Sequence, residues 1–92
     1  MMNFRKYRGI RLSYEKQGLI YFTCRTYRFQ PPEVQKKILR LCEKASRENP
    51  YALFCLLTSG KSTTNIALRF QIASENTLYN ARRRFYEGWY RE

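Results

Sequence analysis

Gly60 to Arg84, GKSTTNIALRFQIASENTLYNARRR, holds two short helical patterns separated by a tight break, and its reading decides the fold. Gly60 suits the end of a preceding helix, and the Ser62 hydroxyl can accept a bond from an N–H two or three residues on, which starts a new one. Ile66, Ala67 and Phe70 recur at helical spacing, so this short helix has one apolar face. The small Ala67 lets a second helix cross close by. Gln71, Ile72 and Ala73 form the break, with Ile72 as the apolar plug between the helices. Ser74 is a second cap, and Glu75 falls in the first turn, where the helix dipole favours an acid.

In the second helix Leu78, Ala81 and Phe85 share the face that turns towards the first helix and the core. At about 100° per residue the opposite arc holds Asn76, Tyr79, Asn80 and Arg83. Such side chains can read bases: asparagine pairs bidentately with adenine and arginine with guanine in the major groove, where a docked second helix presents its N-terminal half. Lys61, Ser62, Thr63, Thr64 and Arg69 lie on or just before the first helix, and Arg82 and Arg84 flank the reading arc. These suit phosphate contacts, which position a protein without specifying a sequence. The pattern therefore predicts a helix-turn-helix. In the usual spacing of that motif Thr77 would face inward, whereas the periodicity places Leu78 there, so either the turn is one residue longer or Thr77 is tolerated inside.

Eighteen Lys and Arg against seven Asp and Glu give the 92 residues a net charge of +11. Such a charge implies a polyanionic partner, and nucleic acid ranks ahead of a membrane because there is no long apolar span or lipidation signal. The length makes one domain with a small core, so oligomerisation is expected. The N-terminus MMNFRKYRG lacks the apolar stretch of a signal peptide, which predicts a cytoplasmic protein. Cys24, Cys42 and Cys55 each sit in an apolar pattern and read as small buried hydrophobes in a reducing compartment. Without histidine or closely spaced cysteine pairs, no metal site or cofactor is expected.

The basic surplus is greatest in residues 1–30, with seven basic side chains and one acidic. Ile10, Leu12 and Tyr14 alternate, EKQG reads as a turn, and Ile20, Phe22 and Cys24 alternate again, so this segment predicts a β-hairpin. Its other face would carry Arg11, Tyr21, Thr23, Arg25 and Tyr27. Such a face can stack on unpaired bases, grip phosphate, form a dimer seam or stay solvated. A lone hairpin is marginal in water, so it must pack on helices or on a second copy.

Pro31 and Pro32 start a helix in which Val34, Ile38, Leu41, Cys42 and Ala45 form one apolar stripe. Asn49 and Pro50 restart the chain, and YALFCLLTS, apolar nearly all round, predicts a central buried helix ended by Gly60. SGKST resembles part of a phosphate-binding loop, but Cys55 stands where that pattern needs its first glycine. With no histidine and few carboxylates, no general base with an orienting partner is visible, so no enzymatic activity is expected.

The run LLTSGKSTTNIALRFQIASENTLYNARRRF resembles PapB-type regulators of fimbrial and adhesin operons in its Leu56, Leu57, Gly60, Ser62, Phe70, Gln71 and Ile72. The preceding FQPPEVQKKILRLCEKAS is similar to the start of that family's first helix, and together these cover about two thirds of the chain. The same outline resembles the plasmid regulator KorA, the sigma-factor region that reads the upstream promoter element, and lambdoid antitermination proteins of the Q type. The resemblance implies a small bacterial regulator that binds operator DNA through Ser62 to Asn65 and Glu75 to Arg84 and associates with further copies of itself. The first thirty residues and the triple arginine Arg82 to Arg84 depart from it.

The expected architecture is mainly α: a single domain over 1–92, with a basic, aromatic N-terminal hairpin or arm (1–30), supporting helices (31–59) and a helix-turn-helix (60–87). The expected function is a transcription regulator binding duplex DNA as a homodimer or higher homo-oligomer. Two alternatives use other parts of the chain. One is an antitermination-type protein that contacts RNA or RNA polymerase through the N-terminal hairpin. The other is a protein-interaction module docking through Trp89 and Tyr90, for which the competing expectation is that both aromatics fold back onto the N-terminal segment.

Overall fold

The computed structural model describes residues 4–91, and in it the apolar run after Pro50 becomes the centre of the molecule. Asn49 stands at the cap position, Pro50 opens the helix with the fixed φ that its first turn needs, and Gly60 ends it at φ +76°, where any other residue is strained. This helix, Pro50–Ser59, is the third of five among the described residues. The others are α1 (Tyr14–Arg25), α2 (Pro32–Ala45), α4 (Thr63–Arg69) and α5 (Glu75–Trp89), so the central one is α3, and a 3-10 turn at Tyr27–Phe29 joins the first two. Both α3 and α5 touch all four other helices.

The stripe expected on α2 is the one buried, with Ile38, Leu41, Cys42 and Ala45 inside and Val34 packed at the edge. On α3 Ala52, Leu53, Leu56 and Leu57 are buried, and Phe54 and Cys55 pack against the same core. Cys24 and Cys42 are buried thiols, and burial pushes Cys42 up to about 12, so neither is a ready nucleophile. No helix of the described residues is long and apolar enough to cross a membrane.

The predicted N-terminal β-hairpin is wrong: the segment is an irregular arm followed by α1. EKQG is not a turn but the first turns of that helix. The Ser13 hydroxyl accepts from Lys16 N–H, and Glu15 sits where the dipole favours it. The alternation of Ile20, Phe22 and Cys24 hid a helical period, because Ile20 and Cys24 share the buried face while Phe22 faces out. The third member of that face is Gln17, a polar residue with no exposed surface.

Gln17 explains why the arm needs no strand partner. Its Oε1 accepts from Tyr7 N–H at 2.9 Å, and its Nε2 donates to the carbonyls of Ile10 and Leu12 at 3.3 and 3.1 Å. One carboxamide thus replaces the ladder that a hairpin would have supplied, and the arm folds over it through a turn at Gly9, φ +82°. Phe4 closes the arm against Tyr7, Tyr14 and Tyr21, with ring centroids 5.0 to 5.7 Å apart.

Of the C-terminal aromatics Tyr90 folds back onto the N-terminal segment, whereas Trp89 packs within α5 and against α2. Trp89 is the last residue of α5, two beyond the expected boundary; its ring lies tilted against Phe85, with Lys37 of α2 over it at 4.1 Å. The Tyr90 hydroxyl donates to the Lys16 carbonyl at 3.3 Å. Of the two residues that the docking alternative would use, Trp89 is buried and Tyr90 stays exposed.

Replacing Gln17 with alanine leaves one N–H and two carbonyls of the arm without their partner. An unsatisfied buried group costs about 1–3 kcal/mol, so Gln17→Ala is expected to lower the unfolding free energy by roughly 3 kcal/mol and to speed amide exchange at Tyr7. A loss below about 0.5 kcal/mol in denaturant titrations would show that the arm is not held this way.

Candidate nucleic-acid interface

Two serines begin the two helices of the C-terminal unit. Ser62 Oγ accepts from Asn65 N–H at 3.1 Å, and Ser74 Oγ accepts from Asn76 N–H at 3.3 Å. Between them α4 ends in a left-handed turn. Gln71 adopts φ +57°, Ile72 N–H reaches back to the Ala67 carbonyl at 2.8 Å, and Gln71 N–H to that of Leu68 at 3.3 Å. This pair of bonds satisfies the last carbonyls of α4 and turns the chain by a residue that is usually glycine. Ile72, half-buried, packs against the core as the expected plug.

The turn settles which residue of α5 faces inward. Leu78 is 1 % exposed and Thr77 lies outside, so the extra residue sits in the turn. Ala81, Phe85 and Trp89 continue the buried arc, and Ala67 is buried where α4 meets α5. On the opposite arc Asn76, Tyr79, Asn80 and Arg83 are all exposed.

The residues expected to hold phosphate are more dispersed. Lys61 and Arg69 are exposed at the two ends of α4. Thr63 and Thr64 instead donate their hydroxyls to the Glu75 carboxylate, at 2.7 and 3.1 Å, and Tyr79 Oη adds a third bond at 3.3 Å. Glu75 therefore laces the start of α4 to the start of α5. The Thr63 and Thr64 hydroxyls, with a smaller contribution from Tyr79, hold its carboxyl below the ordinary glutamate range. Arg82 turns towards the arm and lies 3.8 Å from the centre of the Tyr7 ring. Arg84 projects the other way, and its Nε–H donates to the carbonyl of Ala45, the last residue of α2, at 2.8 Å. It caps a neighbouring helix rather than flanking the reading arc.

The second surface expected at Arg11, Tyr21, Arg25 and Tyr27 does not form one face. Tyr21 and Arg25 stay together a helical turn apart, with Arg25 Nη1 donating to Tyr21 Oη at 2.9 Å. Tyr27 packs edge-on against Phe54 in the core, and Arg11 sits in the arm with its backbone N–H on Glu87 at 3.0 Å. What sequence reasoning missed is the place of the arm. Tyr7, Arg8, Gly9 and Ile10 line a groove of about 300 Å³ with Tyr79, Asn80, Arg82 and Arg83 of α5. The signal was the buried glutamine of α1, which reads as surface in a sequence.

Among the described residues no group of three or more His, Cys, Asp or Glu side chains is placed to hold a metal ion. Comparisons with protein-family models, curated proteins and solved structures gave no match.

Two expectations concern the turn and its lacing. Gln71→Gly removes the left-handed strain of a side chain at the same φ, and is expected to raise the unfolding free energy by about 0.5–1 kcal/mol; a loss would mean that the Gln71 side chain holds the turn. Glu75 has a folded pKa below its unfolded value, so the stability it contributes is complete above the unfolded value and disappears as pH falls through the folded one. Thermal unfolding from about pH 5 down to about pH 3 should therefore cost the wild type more than Glu75→Gln, and parallel profiles would contradict the lacing.

Proposed function

We propose that this chain is a DNA-binding transcription regulator that uses α4, the turn and α5 as a helix-turn-helix and acts as a homodimer or higher oligomer. The carrying observation is the outer arc of α5. Asn76, Tyr79, Asn80 and Arg83 are exposed together on a helix whose inner arc is buried, in a chain of net charge +11. Asparagine and arginine present the donor and acceptor pairs that match adenine and guanine edges in the major groove. Lys61 and Arg69 act as phosphate contacts beside them, while Thr63, Thr64 and Arg84 serve the helices' own placement.

A single unit of this size buries too little surface for a specific site, so paired or repeated half-sites are expected. The resemblance of residues 29–86 to PapB-type regulators supports a bacterial adhesin or fimbrial operon as the target, with copies associating along it.

Binding-site selection from a random duplex library at roughly physiological salt tests the reading, because nonspecific charge attraction is damped there. One enriched repeated or palindromic motif is expected. On that motif Arg83→Ala and Asn80→Ala should each lose about 1–3 kcal/mol more than on random duplex, whereas Lys61→Ala should weaken both alike and lower the salt slope by about 1. Equal losses for all three variants on every duplex would sink the proposal.

A further inference from the structure

We infer that Arg25, Lys61 and Arg82 frame a binding pocket for a single phosphate group, beside the base-reading arc but distinct from it. The end of α1, the link from α3 to α4 and the middle of α5 bring these cations around a cavity of about 90 Å³, and no carboxylate lines it. Three like charges drawn to one small space repel one another, and an anion there reverses the sign of that interaction.

Each arginine is held without spending its charge on an acid. The Arg25 guanidinium lies 5.7 Å from the centre of the Tyr21 ring as well as bonding its hydroxyl, and Arg82 rests on the Tyr7 ring. A guanidinium placed on an aromatic face keeps edge N–H groups free for a phosphate oxygen. Tyr86, also at the cavity, is buried and its hydroxyl is pushed far up, so it brings no negative charge of its own.

Gly60 makes the arrangement sterically feasible. A Cβ at that position would stand 2.6 Å from the guanidinium carbon of Arg25, so a side chain there would displace the guanidinium from its place over the start of the link. The glycine that ends α3 thus also admits the first of the three cations.

The size fits a small ligand: at about 90 Å³ the cavity suits a single tetrahedral anion better than a nucleoside. Two sources supply such a group: a backbone phosphate of a duplex docked on α5, or a free phosphate ion. Tyr7 and Arg82 line both this pocket and the groove beside Tyr79, Asn80 and Arg83, so a strand passing the reading arc lies within reach of it. The backbone role rests on the DNA-binding reading; occupancy by phosphate alone does not.

The test follows backbone amide shifts of the full chain on adding inorganic phosphate at constant ionic strength, and duplex affinity against salt, for wild type, Arg25→Gln and Lys61→Gln. Lys61 is exposed, so the amide response of Lys61→Gln to inorganic phosphate keeps the pocket testable should Arg25→Gln fail to fold. With a backbone phosphate in the pocket, each variant loses about fivefold affinity at roughly 0.15 M salt on every duplex and lowers the salt slope by about 1. With a free ion as the ligand, phosphate shifts amides around Gly60 and Arg82 in wild type and not in the variants, while duplex binding by Arg25→Gln stays unchanged. That same phosphate response in a chain that binds no duplex would uphold the pocket and remove the DNA reading. Duplex binding by Arg25→Gln with the wild-type affinity and salt slope, and no amide response to phosphate in the wild type, would overturn the pocket and leave the DNA reading standing.

Discussion

The Gln17 carboxamide is the interaction on which the arrangement of the N-terminal half depends. A primary amide buried without partners would destabilise so small a core; fully bonded, it fixes three backbone groups of the arm to α1. The consequence reaches well beyond the arm. Tyr7, set by its own N–H on Gln17, packs edge-on against Tyr86 and beneath Arg82, so one buried amide decides where a cation of α5 rests.

The excess of basic residues shapes the packing as much as the apolar ones do. Seven carboxylates cannot answer eighteen cations, and ring faces take part of that role. Lys16, Arg25, Arg28, Lys37 and Arg82 lie between 3.8 and 5.9 Å from ring centres. Such contacts hold a cation without neutralising it. A chain built this way keeps its positive field while fixing its side chains.

The helices of residues 31–89 were legible because their stripes, prolines, serines and glycine act locally. Leu78 against Thr77 is instructive: periodicity within the helix outweighed the usual spacing across the turn, and the left-handed Gln71 accounts for the difference. The N-terminal segment was misread because Gln17 stands at a core position and breaks the apolar period, leaving an alternation that fits a strand equally well. The exposed arc of α5 could be read from its own spacing. The neighbours of that arc could not, since the bond from Arg11 to Glu87 spans 76 positions and Arg84 reaches across to α2. Nothing in a single sequence says which of two adjacent arginines caps a distant helix.

Those same tethers have a consequence for how α5 meets anything. The helix is laced at its start through Glu75, fastened midway through Arg84 to the end of α2, and held near its end through Glu87 to the arm. A helix secured at three levels has little freedom left to lose on docking, so association draws on rigid complementarity rather than on folding upon contact. On the proposed DNA-binding reading the adjustment falls to the duplex: a site that bends or widens its groove easily fits at low cost, and a stiff one does not.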